Sequence, residues 1–188
     1  RGVPPFMAAK MRPWYLSMIL SIPPCAMTAM GAENGLDARM MAAAKERGMP
    51  IRALEPYDTI FGIFGAMSDE EQLSMVTSAL ALDDRSEDLS VTMADTYFAE
   101  EGRLIWEYMR NETLKLPGYD AARVEREFAT MEEAMMNKRN RAWMPVIEAA
   151  AREGTVMAAF GALHLSGEDG VLALMERAGF TLERLSLQ

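Results

Sequence analysis

Residues 154–187 read GTVMAAFGALHLSGEDGVLALMERAGFTLERLSL, and their pattern sets the expected fold. Thr155–Phe160 (TVMAAF) is a continuous apolar run of strand length introduced by Gly154. Gly161-Ala-Leu-His164 and Ser166-Gly167 follow, then a helical stretch from about Glu168 to Ala178 that Gly179 closes. Phe180 to Leu187 alternates as a final strand. Strand, short polar loop, helix, strand is a βαβ unit, so the expectation is a parallel pair with its ligand side at the carboxyl end.

Upstream the chain is mostly helical. Pro13 suits the first turn of a helix over about Trp14–Ile22, and Pro23-Pro24 stops it. Asn34-Gly35 marks a turn before a helix over Leu36–Glu46, with Gly48 placed to end it. Met49–Leu54 (MPIRAL) reads as a buried strand with Glu55 at its end. Ser68-Asp-Glu-Glu71 is a capping box opening a helix to about Leu82, and a second helix covers about Leu89–Glu101. Helices over Leu104–Leu114 and Ala121–Arg139 follow, with Asn140–Arg152 either continuing the latter or neighbouring it, according to what Pro145 does. The expected class is α/β, helix-rich with a small central β-sheet, and the whole of residues 1–188 is read as a single domain.

Composition narrows the function classes. The chain has 188 residues, with 28 acidic and 19 basic side chains and a net charge of −9. Only four of the basic residues are lysines and the arginines are scattered singly, so no basic tract offers itself to nucleic acid or an anionic membrane. No stretch reaches the roughly 18 unbroken apolar residues of a membrane span. One cysteine, Cys25, excludes an intrachain disulfide framework and a cysteine-based zinc site, and its setting beside Pro23 and Pro24 suggests a small buried apolar side chain. One histidine, His164, means that chemistry needing two histidines is not completed by this chain alone. The 18 methionines read as gap-filling core residues, with Met40, Met41, Met131 and Met135 at helical spacing, rather than as a haem or soft-metal pocket. Asp83–Asp88 (DDRSED) lacks the glycine and closing glutamate of a calcium loop and reads as a solvated connection.

In open α/β sheets, ligands gather at the carboxyl ends of strands, and two side chains satisfy that rule: Glu55 and His164. A carboxylate and an imidazole brought together can ligate a divalent ion or act as a base and its orienter. Gly161 is suited to a close backbone approach. Glu55 can equally pair with Arg52 or Arg139, and His164 can serve as a hydrogen-bonded structural residue that caps a turn. Tyr57 and Asp58, just past Glu55, are placed to line a substrate.

Several separated segments resemble one known group. MRPWYLSMIL (11–20), NGLDARMMAAAKERGMPIRALEPYDTIFGIFGAMSDEEQL (34–73), the Arg139-Asn140 pair, GALHLSGEDG (161–170) and GFTL (179–182) together resemble the C-terminal portion of the TraB/GumN/PrgY family, to which the animal TIKI proteins are related. The resemblance implies a metal-dependent peptidase or hydrolase, with Glu55 and His164 as catalytic and metal-binding residues and Arg139 and Asn140 orienting the carboxylate or a substrate carboxyl, while Tyr57 is a substrate-lining candidate by its position alone. Manganese or cobalt is the implied ion, zinc the next choice. The family pattern also carries an earlier G-x-x-H segment that this sequence does not contain. The resemblance therefore implies a fold incomplete at its N-terminus and a fragment inactive by itself. It further implies a bacterial protein in the periplasm or secreted, acting on a peptide or small molecule, with a homodimer conceivable. The other function class in view is a non-catalytic protein that sequesters a peptide or a haem-like ligand.

Overall fold

The computed structural model describes residues 2–27 and 35–185. Asn34, and with it half of the expected Asn34-Gly35 turn, lies outside the described residues. The chain divides into two compact units, one of Arg1–Arg52, Asp58–Ala99 and Lys115–Gly118, the other of Ala53–Tyr57, Glu100–Leu114 and Tyr119–Gln188.

The first unit contains α1 (Pro5–Ala8), α2 (Pro13–Ser21), α3 (Pro24–Met27), α4 (Leu36–Glu46), α5 (Thr59–Gly65), α6 (Asp69–Ala81) and α7 (Ser86–Phe98). Proline at the first position of α2 costs no hydrogen bond there, and the helix packs against α6. Trp14 of α2 stacks on Phe64 of α5, rings 5.0 Å apart and 7° from parallel. The capping box forms as expected: Ser68 Oγ accepts from the Glu71 N–H, and Glu71 accepts from the Ser68 N–H at 2.7 Å. The acidic connection tightens to a single 3₁₀ turn, Asp83–Arg85, and α7 starts at Ser86, three residues before the expected position. Two expectations need correcting in this unit. Cys25 is exposed rather than buried. No residue of α4 is buried, so Met40 and Met41 are not core residues among the described residues.

The second unit holds Ala53–Tyr57, α8 (Gly102–Thr113), α9 (Ala121–Glu132), α10 (Lys138–Glu153) and α11 (Val171–Arg177). Asp120 caps α9 by accepting from the Arg123 N–H at 2.7 Å. One π turn, Glu133–Asn137, joins α9 to α10, so residues 121–153 run as one continuous helical rod. Pro145 lies inside α10 without ending it. Its missing N–H costs one ladder bond, and the helix is held over that gap by the face it buries. That face is Trp143, Met144 and Ile147, packed on Val171 with Leu54, Phe160, Leu174 and Met175 around them. Gly154 ends α10 at φ 155° and ψ −164°, a region open only to glycine.

The expected sheet is absent. Among the described residues no strand forms, and the fold is helical rather than α/β. Met49–Leu54, Thr155–Phe160 and Phe180–Leu185 are irregular chain. Apolar runs and alternation specify which side chains seek cover, but a strand exists only where a second backbone supplies its N–H and C=O partners. Thr155–Phe160 makes no main-chain hydrogen bond among the described residues, and Met157 is 72% exposed. The part of the βαβ reading that survives is the connection. A 3₁₀ turn, Ala162–His164, carries the histidine into α11, and Ala162 lies 3.7 Å from where a side chain on Gly102 of α8 would begin.

The glycine under constraint in this connection is Gly170, not Gly161. Gly161 has φ −60° and ψ 145°, which any residue adopts, and a methyl there would meet His164 Cδ2 at an ordinary 3.7 Å. A Cβ on Gly170 would collide with the carbonyl oxygens of Leu165 and Ser166. Gly170→Ala is therefore expected to lower unfolding free energy by about 1–3 kcal/mol, the usual cost of overpacking. Gly161→Ala should fold with unchanged stability in denaturant titrations, and a reversed order would contradict this geometry. In hydrogen exchange, the amides of Thr155–Phe160 should exchange at nearly unprotected rates while those of Trp143–Ile147 are retained longest.

Candidate functional site

Four side chains foreseen from sequence are brought together in the second unit, and a fifth joins them. Glu55 comes from the irregular stretch Ala53–Tyr57, His164 closes the 3₁₀ turn, and Arg139 and Asn140 sit in the first turn of α10. Trp143 lies four residues after Arg139, hence on the same helix face. It stands in the core, and its indole N–H also donates to Glu55 Oε2 at 3.1 Å. The i,i+4 spacing from Arg139 was the available signal.

Glu55 pairs with Arg139 rather than Arg52. Arg139 Nη2 donates to Oε1 at 2.7 Å and Nε donates to Oε2 at 3.0 Å, a side-on, two-pronged ion pair with side-chain exposures of 14% for arginine and 22% for glutamate. The guanidinium also lies over the Trp143 ring, 5.0 Å from its centroid. Its Nη1 donates to the Met135 carbonyl at 2.6 Å, inside the π turn, and approaches His164 Nε2 at 3.3 Å. Turns of this kind recur at functional sites because the wider winding shifts carbonyls and side chains off the regular helical register.

Asn140, 1% exposed, fixes the imidazole. Its Nδ2 donates to two carbonyls, His164 at 3.3 Å and Asp169 at 2.8 Å, so its Oδ1 is the acceptor facing His164 Nδ1 at 2.6 Å. That assignment places the ring proton on Nδ1 and leaves the lone pair on Nε2, which accepts from Arg139. Burial, then the adjacent Arg139 charge, pushes the His164 pKa from its ordinary 6.5 down to about 4, with Glu55 opposing. The Arg139 hydrogen bonds hold the Glu55 carboxyl below the usual range against the cost of its burial, with the Trp143 N–H adding in the same direction. At neutral pH the cluster is therefore a carboxylate, a guanidinium and a neutral imidazole.

Tyr57 stands apart from this group, 92% exposed, two residues beyond Glu55. Asp58 belongs to the first unit. The acidic Asp83–Asp88 stretch lines an open pocket with Pro24, also in the first unit. For a divalent ion the cluster offers Glu55 and His164. Two ligands fall short of the three or more protein donors typical of such sites, and a cationic guanidinium stands against both of them. Among the described residues no group of three His, Cys, Asp or Glu side chains converges. The side chains in this arrangement do not fit a resident metal.

A family model described as the TraB/PrgY/gumN family matches residues 1–184, a span that includes every member of the cluster. No curated protein and no solved structure matches the chain at a significant level.

The geometry sets a measurable protonation pattern. Long-range ¹H–¹⁵N correlation at pH 7 should show His164 protonated at Nδ1 and bare at Nε2, and the opposite tautomer would break the Asn140 assignment. Because the folded pKa is depressed, the unfolded chain takes up a proton first as pH falls. The His164 contribution to stability is thus complete above about 6.5 and is lost as pH drops toward about 4. Glu55 acts in the same direction at lower pH. His164→Gln should flatten the stability profile between those two values, read from urea midpoints across the range.

Proposed function

This chain belongs to the TraB/PrgY/gumN family, and from that membership together with the cluster we propose a hydrolase that cleaves peptide bonds at the Glu55–Arg139–His164 site. The observation that carries the reading is the His164 Nε2 lone pair, unprotonated at neutral pH, oriented by Asn140 and set beside a guanidinium. Once Arg139 Nη1 releases it, that lone pair can take a proton from a water attacking a carbonyl carbon. The guanidinium is suited to stabilise the oxyanion that then develops, and Glu55 with Trp143 keeps it aimed. The finer assignment, a TIKI-like enzyme of the periplasm or cell exterior that depends on manganese, cobalt or zinc, rests on the resemblance in sequence pattern. No step here is routed through such an ion, since the donor set does not fit one.

The test is cleavage of a mixed peptide library by the purified protein, with and without Mn²⁺ or Co²⁺, read by mass spectrometry. Cleavage that falls about 100-fold or more in His164→Ala supports the proposal, that being the usual range for loss of a general base. Cleavage undiminished in that variant sinks it. Peptide retained intact, equally with and without ion, would place the sequestering protein in front. No helix among the described residues is long and apolar enough to cross a membrane.

A further inference from the structure

We propose that Thr155–Phe160 is the substrate-binding edge of the candidate site, an unpaired stretch of main chain that takes up an extended polypeptide segment as an added β-strand. From Thr155 to Gly161 the chain runs without a turn or a bend, between the end of α10 and the 3₁₀ turn that carries His164. None of the main-chain N–H and C=O groups of Thr155–Phe160 is hydrogen-bonded among the described residues. The other two strand-patterned stretches are tied at their first residue, Met49 N–H to the Ala44 carbonyl at 2.9 Å and Phe180 N–H to the Met175 carbonyl at 3.0 Å. Thr155–Ala159 are all exposed, Val156 at 46% and Met157 at 72%. Straight, open main chain of this kind offers a second backbone the alternating donors and acceptors of a ladder.

Composition and position select the occupant. A strand edge that is to stay single is guarded by charge, proline or a bulge. Gly154–Gly167 contains no Asp, Glu, Lys, Arg or Pro, in a chain of which 25% of the residues are charged, so this edge is open to pairing. Pairing through the main chain reads backbone rather than side chains. The ligand it fits is therefore an extended, unfolded stretch of polypeptide, not a folded surface or a small molecule. The downstream end of the edge stands at the site. Phe160, half-buried, stacks on Trp143 with ring centroids 5.8 Å apart, and Trp143 lies 4.6 Å from the His164 ring and donates to Glu55. His164 follows Phe160 by four residues. A strand laid along Thr155–Phe160 is thus brought to the neighbourhood of the histidine by the same chain that binds it, with the small Ala158 and Ala159 leaving room for its side chains.

The occupant rests on the hydrolase reading above, but the readout is main-chain protection, so the two fail separately. The probe is a blocked six-residue peptide of alternating threonine and valine, followed by hydrogen exchange in the wild-type chain and in His164→Ala, which removes the base and keeps the edge. With peptide in excess, alternate amides of Thr155–Phe160 should slow at least tenfold in both proteins. N-methylation of the peptide should abolish this at every second residue and leave it within twofold at the residues between, which is the period of a strand. Ala158→Pro should lower the affinity at least tenfold with an unchanged circular dichroism spectrum, since the N–H it removes bonds nothing in the free chain. Amides that stay unprotected, N-methyl effects without a period of two, or an affinity within twofold in Ala158→Pro overturn the proposal. So does protection that rises with protein concentration in the absence of peptide, which would assign the edge to a second copy. Protection without cleavage leaves the edge standing and counts against the hydrolase alone, and cleavage without protection does the reverse. Should Ala158→Pro fail to fold, the N-methyl series on the wild-type chain decides by itself.

Discussion

One buried amide, that of Asn140, ties together three parts of the second unit. Through Nδ2 it holds the carbonyls of His164 and Asp169, and through Oδ1 it holds the imidazole. Helix α10, the 3₁₀ turn and the loop that enters α11 are thus joined at a single side chain that is almost fully removed from water. An amide in that position has no solvent to replace a lost partner, so all of its bonds must be present together. The tautomer of His164, the side of the ring that faces Arg139, and the approach of Asp169 toward Arg141 and Arg177 follow from it.

The Glu55–Arg139 pair depends on that arrangement in turn. A half-desolvated ion pair gains or loses according to whether its remaining lone pairs and protons are satisfied. Here the second carboxylate oxygen is met by the Trp143 N–H, and the guanidinium finds a carbonyl in the π turn. The chain supplies both from within one helical rod, because a π turn before Lys138 brings Met135 within reach of Arg139 while Trp143 follows one turn later. The geometry of the cluster is therefore mostly a property of residues 135–143, with Glu55 and His164 delivered to it.

That division explains what was legible beforehand. Arg139, Asn140, Glu55 and His164 were all recognisable from ordered sequence segments, and they do meet. Helix limits were legible where a cap or a proline dictates them, as at Pro13 and Ser68. Elsewhere local signals gave less: α7 begins at Ser86, ahead of its first apolar residue, because a 3₁₀ turn already set the direction of the chain. The strands failed for a deeper reason. Met49–Leu54, Thr155–Phe160 and Phe180–Leu185 carry the side-chain pattern of strands, yet pairing is a relation between two segments that no single segment encodes. Gly161 and Gly170 show the same limit at one residue. Both appear in the same motif, and only the three-dimensional approach of the Leu165 and Ser166 carbonyls reveals that Gly170 is the one that cannot change.

Electrostatics decides what the cluster can be at rest. An imidazole beside a guanidinium in a half-buried setting gains nothing by protonation, so His164 stays neutral and its lone pair remains directed at the nearest cation. A carboxylate in the same place is stabilised by that cation and stays charged. Burial is the larger influence on His164 and the Arg139 hydrogen bonds are the larger influence on Glu55, so one setting favours a neutral ring beside a charged carboxylate. His164 Nε2 and Arg139 Nη1 meet at 3.3 Å as acceptor and donor, so the contact that suits a neutral ring also holds the guanidinium in place.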